Sequence, residues 1–266
     1  MSAILLEGSI VHYEVLGRGR PVIFLHGWVG SWKYWITSMQ VASTSYRAYA
    51  LDLWGFGDTA HNILGYSLEQ QSALLDSFLN EMGIGKIALV THGLGALVGM
   101  KFAALPQNVG RVDRLMAVNC PLGYDAVSPR FKGESPSPVE LTEWLSSRTP
   151  EAATALSDSA KADPKAITAS MVGLQADNLY NAFRNLNNPI PCLLVYGEKD
   201  QAISAPGEGF SLSSMTHQIS LEGSGHFPMI DETIKFNRLL TDFLALEPGQ
   251  SPSELQMKEE WRRRVR

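Results

Sequence analysis

The most constraining feature of this sequence is an apolar run that meets a glycine turn and continues with small residues. It covers residues 86–100 and reads KIALVTHGLGALVGM. Its first half is aliphatic and β-branched, which is typical of a strand buried on both faces. Its second half is rich in alanine, glycine and leucine at helical spacing. We therefore predict a buried strand, a sharp turn at Gly93 and a helix that follows directly.

Similar apolar runs recur along the chain and alternate with helical patterns. This alternation predicts right-handed crossovers and a mostly parallel sheet with helices on both faces. The first two runs, joined by Glu7-Gly8, are predicted to form an antiparallel hairpin at one edge. Besides the strand at the glycine turn, the predicted strands are 3–6, 9–16, 21–27, 46–53, 112–119, 192–196 and 216–221, and the predicted helices are 32–42, 67–82 and 236–246.

The alternation stops between residues 121 and 189. This segment has several prolines and helical patterns at 139–146, 151–159, 165–172 and 174–186, but no buried-strand pattern. We predict that it is a helical lid inserted into a core domain formed by residues 1–120 and 190–246. Residues 247–266 are predicted to form a helical tail that packs on the body or on a second subunit, so a homodimer through the lid or the tail is the oligomer we consider.

Composition and spacing argue against several classes of function. The formal net charge of −5 provides no broad basic field for nucleic acid. No apolar run approaches the roughly 18 residues of a spanning helix, and the first residues do not resemble a signal peptide, so we expect a soluble, cytoplasmic protein. Cys120 and Cys192 are expected to be buried free thiols. Metal-ligand spacings, a Walker loop and a dinucleotide fingerprint are absent from the sequence, and we expect no metal and no cofactor.

Four stretches, in order along the chain, resemble the alpha/beta-hydrolase fold family. They are His26-Gly27-Trp28, Asp52 with Gly55 and Gly57, residues 91–95, and the pair Asp200 and His226. In that family a G-x-S-x-G turn carries a nucleophilic serine, and the acid and the histidine follow it along the chain. The resemblance extends to about Leu246. It implies an α/β fold with a mostly parallel central sheet, flanking helices and an inserted helical lid.

The resemblance also implies roles for individual residues. Asp200 accepts a hydrogen bond from His226, which acts as the base. The backbone N–H groups of Trp28 and Leu94 form the oxyanion hole. Trp28 and Phe227 border a small apolar pocket and are the predicted substrate-binding residues, while two further histidines are interpreted as structural. These are His26 and His92.

The chain departs from the family at the nucleophile position, where it has Gly93. Glycine has no side chain that can attack a substrate. The base and the backbone donors are retained, and each contributes about 10²-fold or more to carbonyl chemistry. Thr91 also departs from the motif, which favours natural divergence over an engineered loss of serine.

Three hypotheses follow. The first is an enzyme that acts on a small apolar ester, lactone or other carbonyl compound through the His226–Asp200 base dyad and the oxyanion hole. The second is a non-catalytic protein that binds a small apolar ligand, and the third is a serine esterase inactivated at position 93. Retention of Asp200 and His226 favours the first. We expect Gly93→Ser to create or strongly raise esterase activity with an acyl-enzyme burst.

Overall fold

One eight-stranded sheet forms the centre of the structure, a computed structural model that describes residues 2–207 and 209–255. Its strands are β1 (Ser2–Leu6), β2 (Ser9–Gly17), β3 (Arg20–Leu25), β4 (Tyr46–Leu51), β5 (Ile87–His92), β6 (Val112–Val118), β7 (Cys192–Gly197) and β8 (Thr216–Leu221). They lie in the order β1-β2-β4-β3-β5-β6-β7-β8. The pairs β1–β2 and β2–β4 are antiparallel and the others are parallel. The predicted mostly parallel sheet with an antiparallel edge is confirmed.

The burial of each strand follows its place in the sheet. Every residue of β5, β6 and β7 is buried, as expected for parallel strands with helices on both faces. In the edge strand β1, exposed and partly buried residues alternate because one face meets solvent. The carboxyl ends of the parallel strands therefore meet at one edge of a rigid core, where loops from several strands converge.

Helices flank this sheet and fill the segment between β6 and β7. They are α1 (Ile36–Ala42), α2 (Leu68–Glu81), α3 (Leu94–Ala104), α4 (Pro138–Leu145), α5 (Pro150–Ala155), α6 (Pro164–Ala176), α7 (Leu179–Arg184), α8 (Pro228–Asp231) and α9 (Thr233–Leu244). The predicted helix at 32–42 begins as a 3-10 turn over Trp32–Trp35. Ser67 caps α2, since its hydroxyl accepts the backbone N–H of Gln70.

The segment 121–189 is helical, and its structure corrects the predicted helix boundaries. A single helix, α6, runs through Gly173, where the sequence pattern had suggested a break. A Cβ at Gly173 would lie 3.0 Å from the side chain of Leu68, so the glycine lets α6 pack closely on α2. The segment also docks on the loop after β4, because Asp163 donates its backbone N–H to the carbonyl of Gly55. That it acts as a lid stays a prediction.

The last described residues form a 3-10 turn over Pro252–Glu254, in which Ser251 accepts the backbone N–H of Ser253. The predicted tail helix depends on residues 256–266, which lie outside the described part of the chain. Both cysteines are buried free thiols, as predicted. Across residues 2–207 and 209–255, no helix is long and apolar enough to cross a membrane.

Candidate active site

Asp200 and His226 meet at the carboxyl edge of the sheet. Asp200 lies in the loop after β7 and His226 in the loop after the neighbouring β8. The carboxylate oxygens of Asp200 lie 3.0 and 3.1 Å from Nδ1 of His226, and both side chains are buried. A Cβ at Gly197 would lie 1.9 Å from the carbonyl oxygen of Gly225. Glycine at position 197 therefore lets the two loops touch through their backbones.

The second ring nitrogen of His226 is unpaired. Nε2 is buried and has no hydrogen-bond partner among the described residues. Because the carboxylate of Asp200 accepts a hydrogen bond from Nδ1–H, Nε2 carries the lone pair of the neutral ring and can act as a base. The rings of His92, Phe227 and Phe131 surround the imidazole, with centroids at 4.6, 5.0 and 6.4 Å.

Asn119 holds the two loops of the dyad together, a role that the sequence did not reveal. It directly follows β6 and has a φ of 43°, a conformation that asparagine tolerates better than most residues. Its Oδ1 accepts the backbone N–H of Gly197 at 2.9 Å, and its Nδ2 donates to the carbonyl of His226 at 2.9 Å. An asparagine that directly follows a buried strand was the available signal.

A second set of hydrogen bonds supports the loop of His226 through His92. Nε2 of His92 donates a hydrogen bond to the carbonyl of His226 at 2.9 Å. Nδ1 therefore accepts a hydrogen bond from the hydroxyl of Tyr34, also at 2.9 Å. The hydroxyl of Tyr34 in turn accepts the backbone N–H of Gly27. Burial lowers the pKa of His92 well below its usual value, so the ring is neutral. Tyr34 thereby connects the loop after β3 with the loop of the base.

His26 is also fully hydrogen-bonded. Its Nδ1 donates to the carbonyl of Gly27 at 2.8 Å, and its Nε2 accepts the backbone N–H of Leu53 at 3.0 Å. Burial lowers the pKa of His26. Both ring nitrogens of His26 and of His92 therefore have partners, which supports their interpretation as structural residues.

The turn between β5 and α3 lies at the position of the family's G-x-S-x-G turn, and we call it the elbow. Gly93 has φ 48° and ψ −109°, which glycine adopts without the strain of a side chain. Gly95 donates its backbone N–H to the carbonyl of His26 at 3.0 Å, and a Cβ there would lie 2.6 Å from the carbonyl oxygen of Leu25. Leu94 is the first residue of α3, so its N–H has no acceptor within the helix. The oxyanion role of Trp28 and Leu94 stays a prediction.

The space above Gly93 is filled by the side chain of Trp28. A Cβ built on Gly93 would lie 3.1 Å from both Cε3 and Cζ3 of the indole. The ring is buried, packs 5.5 Å from the ring of Phe131, and donates from Nε1 to Oγ of Ser170 at 2.8 Å. The activity expected of Gly93→Ser requires free space at this point. An aromatic ring instead lies where the side chain of a nucleophile would project.

A cavity of about 750 Å³ has His226 in its wall. Its walls combine the histidine loop with the segment 144–155 and the start of the 3-10 turn after β3. They include His226, Gly225, Lys199, Trp144, Lys33 and Met229. Trp28 and Phe227 are buried and are not part of these walls. Their substrate-binding role stays a prediction.

No group of three or more histidine, cysteine or acidic side chains is placed to hold a metal ion within the described ranges. The hydrogen bonds above leave one unpaired basic atom at the centre of the site, Nε2 of His226. The arrangement can accept a proton, but it offers no side chain at position 93 for covalent attack.

Comparison with known sequences gives a consistent result. Residues 22–238 match the model of the alpha/beta hydrolase family. A 2-hydroxy-6-oxo-2,4-heptadienoate hydrolase of Pseudomonas putida is 27% identical over 270 residues, which cover 92% of this chain and 96% of that protein. A soluble epoxide hydrolase of Corynebacterium sp. is 27% identical over 137 residues, or 52% of this chain. The chain spans less than half the length of the first curated relatives it matches, 46% for this epoxide hydrolase.

Solved structures with the same fold include a serine-to-glycine mutant of the N-acyl homoserine lactonase AidH, complexed with N-hexanoyl homoserine lactone. The TM-score is 0.80 at 16% identity, and the match covers 91% of this chain and 96% of that chain. At this identity the likeness concerns the fold alone. Because the family model covers most of the chain and the observed sheet agrees with it, the protein belongs to the alpha/beta hydrolase family.

Proposed function

We propose that this protein carries out non-covalent acid–base chemistry on a small apolar ester, lactone or other carbonyl compound. His226 is the base, Asp200 is its partner, and the backbone N–H groups of Trp28 and Leu94 stabilise the oxyanion. One observation carries the proposal. The carboxylate of Asp200 lies 3.0 Å from Nδ1 of His226, and Nε2 is unpaired among the described residues, beside an elbow that has no nucleophile.

In the hydrolytic form of this mechanism, water replaces the missing serine. Nε2 of His226 takes a proton from water while the water oxygen bonds to the carbonyl carbon. Asp200 stabilises the imidazolium, and the oxyanion accepts hydrogen bonds from the two backbone N–H groups. When the tetrahedral intermediate collapses, the bond to the leaving alkoxide breaks and the imidazolium returns the proton to it. A general base contributes about 10²- to 10⁴-fold to such a step.

The substrate class rests on chemistry and on likeness together. The rings around His226 make the site apolar, and a neutral carbonyl compound suits it better than a charged one. One relative by sequence is named as a hydrolase of a dienoate, and one structural neighbour contains a lactone. The cavity at His226 is a route of access, over which the segment 121–189 acts as the lid.

A second candidate function is binding of a small apolar ligand without turnover. The burial of Nε2 of His226 and the aromatic rings of Trp28 and Phe131 favour it, because a substrate has to displace side chains to reach the base. In that case Asp200 and His226 have a structural role, since their hydrogen bonds hold the conformation of their loops.

The test compares the wild-type chain with His226→Gln on short p-nitrophenyl esters and lactones. Since no acyl-enzyme forms, the wild type should hydrolyse one of these classes without a burst. The variant should lose about 10²- to 10⁴-fold of the rate. The matched control is His61→Gln, which changes an exposed histidine bonded to the carbonyl of Lys161 and should keep the rate.

Purification of the three proteins in parallel excludes a contaminating esterase, which would be equally active in all samples. A wild type without turnover on either class, but with a melting temperature raised by the same compounds, would replace catalysis by binding.

A further inference from the structure

We propose that the indole of Trp28 occupies the place of the missing nucleophile side chain and thereby determines what reaches Nε2 of His226. This inference goes beyond the proposed function, because it holds whether or not the chain turns over a substrate. It makes Trp28 and Gly93 a matched pair, in which the large residue requires the small one.

The contact at Gly93 is tighter than a side chain normally makes. Carbon atoms pack best at about 3.5–4.0 Å, whereas a Cβ at position 93 would lie 3.1 Å from two carbons of the indole. The ring would have to withdraw by a few tenths of an ångström for the Cβ alone. A serine hydroxyl needs further space in the same region.

The ring of Trp28 is held on the side away from Gly93. Its Nε1 donates to Oγ of Ser170, and Ser170 donates to the carbonyl of Ile167 one turn earlier in α6. Phe131 packs against the ring, and all of these side chains are buried. Withdrawal of the indole therefore breaks a buried hydrogen bond and disturbs the packing of α6.

The two glycines of the elbow are restricted by different groups. A Cβ at Gly95 would meet the backbone oxygens of Leu25 and His26 at 2.6 and 2.7 Å, which no side-chain substitution removes. The nearest atoms to a Cβ at Gly93 belong to the side chain of Trp28. Shortening Trp28 should therefore relieve the restriction at position 93 and leave the one at position 95 unchanged.

The space left by removal of the indole has a definite chemistry. It lies between Gly93 and Phe131 and retains the hydroxyl of Ser170, which bonds to the ring nitrogen of Trp28. A flat aromatic molecule with one N–H group fits this description, and free indole is the simplest probe of it.

The experiment is a double-mutant cycle of Gly93→Ser and Trp28→Ala. The first measurement is the unfolding equilibrium in urea. Gly93→Ser should raise the equilibrium constant of unfolding by a factor that is at least tenfold smaller in the Trp28→Ala background than in the wild type. The second is covalent labelling with a small alkyl fluorophosphonate, followed by mass spectrometry. In that reaction the serine oxygen bonds to phosphorus, fluoride leaves, and His226 takes the hydroxyl proton.

We expect the double variant to be labelled at least 100-fold faster than Gly93→Ser alone, and added indole should slow this labelling because it refills the space. The control background is Trp35→Phe, which alters another buried tryptophan that packs on Phe24. It should change neither the cost of Gly93→Ser nor its labelling. If Trp28→Ala does not fold, Trp28→Phe gives the same cycle with a smaller cavity.

Equal costs of Gly93→Ser in the two backgrounds would overturn the proposed packing. Equal labelling of the single and double variants, or no labelling of the double variant, would overturn the claim that the indole determines what reaches Nε2 of His226. The unfolding measurement needs no competent base. Failure of this inference is therefore distinguishable from failure of the proposed function.

Discussion

The site has two halves that are held by different forces. The base half comprises Asp200, His226, Asn119 and His92, and hydrogen bonds join its members into one network. The elbow half comprises Gly93, Trp28, Phe131 and Ser170, and packing holds it together with a single side-chain hydrogen bond between its members. Both halves lie at the carboxyl edge of the same sheet. Only the elbow half contains the predicted departure from the family pattern, the glycine at position 93.

The difference shows which part of such a site tolerates change. Removing one member of a buried polar network leaves its partners unpaired, which costs about 1–3 kcal/mol for each group. Apolar groups of suitable size can repack around a lost side chain at lower cost. A substitution in the elbow half is therefore expected to cost less unfolding free energy than one in the base half.

The residues of the base half also hold the fold through their hydrogen bonds. Oδ1 of Asp200 accepts the backbone N–H of Ala202 at 2.8 Å, so this carboxylate also shapes its own loop. The carbonyl of His226 accepts hydrogen bonds from both His92 and Asn119. Their hydrogen bonds in the fold alone can explain why these residues are present. Variants that change turnover without changing stability, or the reverse, separate a catalytic role of the base half from a structural one.

The largest expected effect is that of Asp200→Asn on turnover. The amide oxygen still accepts the N–H of Ala202, whereas the charge that stabilises the imidazolium of His226 is lost. Any His226-dependent turnover should fall about 10²- to 10⁴-fold. Initial rates with the best ester or lactone, together with the circular dichroism spectrum, measure this. An unchanged rate with an intact fold would make the base half purely structural.

The next effect is loss of stability in acid, to which the base half contributes through His92. Burial lowers the pKa of His92 and of His26 in the folded chain, so the unfolded chain binds more protons once the pH falls below about 6.5. Their contribution is therefore absent above that pH and destabilising below it. His12 acts oppositely: burial opposes its charge, but Asp52 and Glu14 outweigh burial and raise its pKa. Its stabilisation is present in acid and lost as the pH rises through the folded pKa.

His92→Gln isolates the contribution of His92. The amide of glutamine can donate to the carbonyl of His226 but does not titrate, so the stability should fall less steeply between pH 6.5 and 5 than in the wild type. Urea unfolding at a series of pH values measures the slope, with His61→Gln as the exposed control. Equal slopes for His92→Gln and the wild type would show that His92 is not kept neutral by burial.

The meeting of Asp200 with His226 and the turn at Gly93 could be predicted from the sequence because their signals are local. Asp200 and His226 each follow a short apolar run, and Gly93 lies between a strand pattern and a helix pattern, so each feature is visible within a few residues. Because parallel strands have their carboxyl ends at the same edge of the sheet, the loops that follow them meet there. The turn at Gly93 follows from the same reasoning.

The occupant of the elbow could not be predicted in this way. Ser170 in α6 and Phe131 in a 3-10 turn over Pro129–Phe131 both lie in the segment 121–189, far along the chain from Trp28, and they meet it only through tertiary packing. Helical periodicity identifies a buried face but not the partner of that face. Asn119 is a similar case, since its bonds to Gly197 and His226 depend on the order of β6, β7 and β8 in the sheet.

A smaller effect separates Asn119 from a matched asparagine elsewhere. Asn108 is also buried and donates from Nδ2 to the carbonyl of Phe102. Asn119→Ala and Asn108→Ala should each cost about 1–3 kcal/mol of unfolding free energy, because each removes a buried hydrogen bond to a backbone carbonyl, and Asn119→Ala also removes the acceptor of the N–H of Gly197. Only Asn119→Ala should also shift the imidazole ¹⁵N resonances of His226 and lower its turnover. Equal resonances in both variants would remove Asn119 as a positioning residue for the dyad.

The smallest expected effect tests the hydrogen bonds by which Tyr34 connects the loop after β3 with the base half. Tyr34→Phe keeps the ring but removes the hydroxyl that accepts the N–H of Gly27 and donates to Nδ1 of His92. The retained ring packing limits the loss of unfolding free energy to about 1–2 kcal/mol. Tyr66→Phe is the matched control, since it removes a hydroxyl that donates to Asp163 in the inserted segment. The ¹⁵N resonances of His92 should move in Tyr34→Phe and stay in Tyr66→Phe, because only the first leaves Nδ1 without its donor. If both variants leave His92 unchanged, the hydroxyl of Tyr34 does not connect the loop after β3 with the base half.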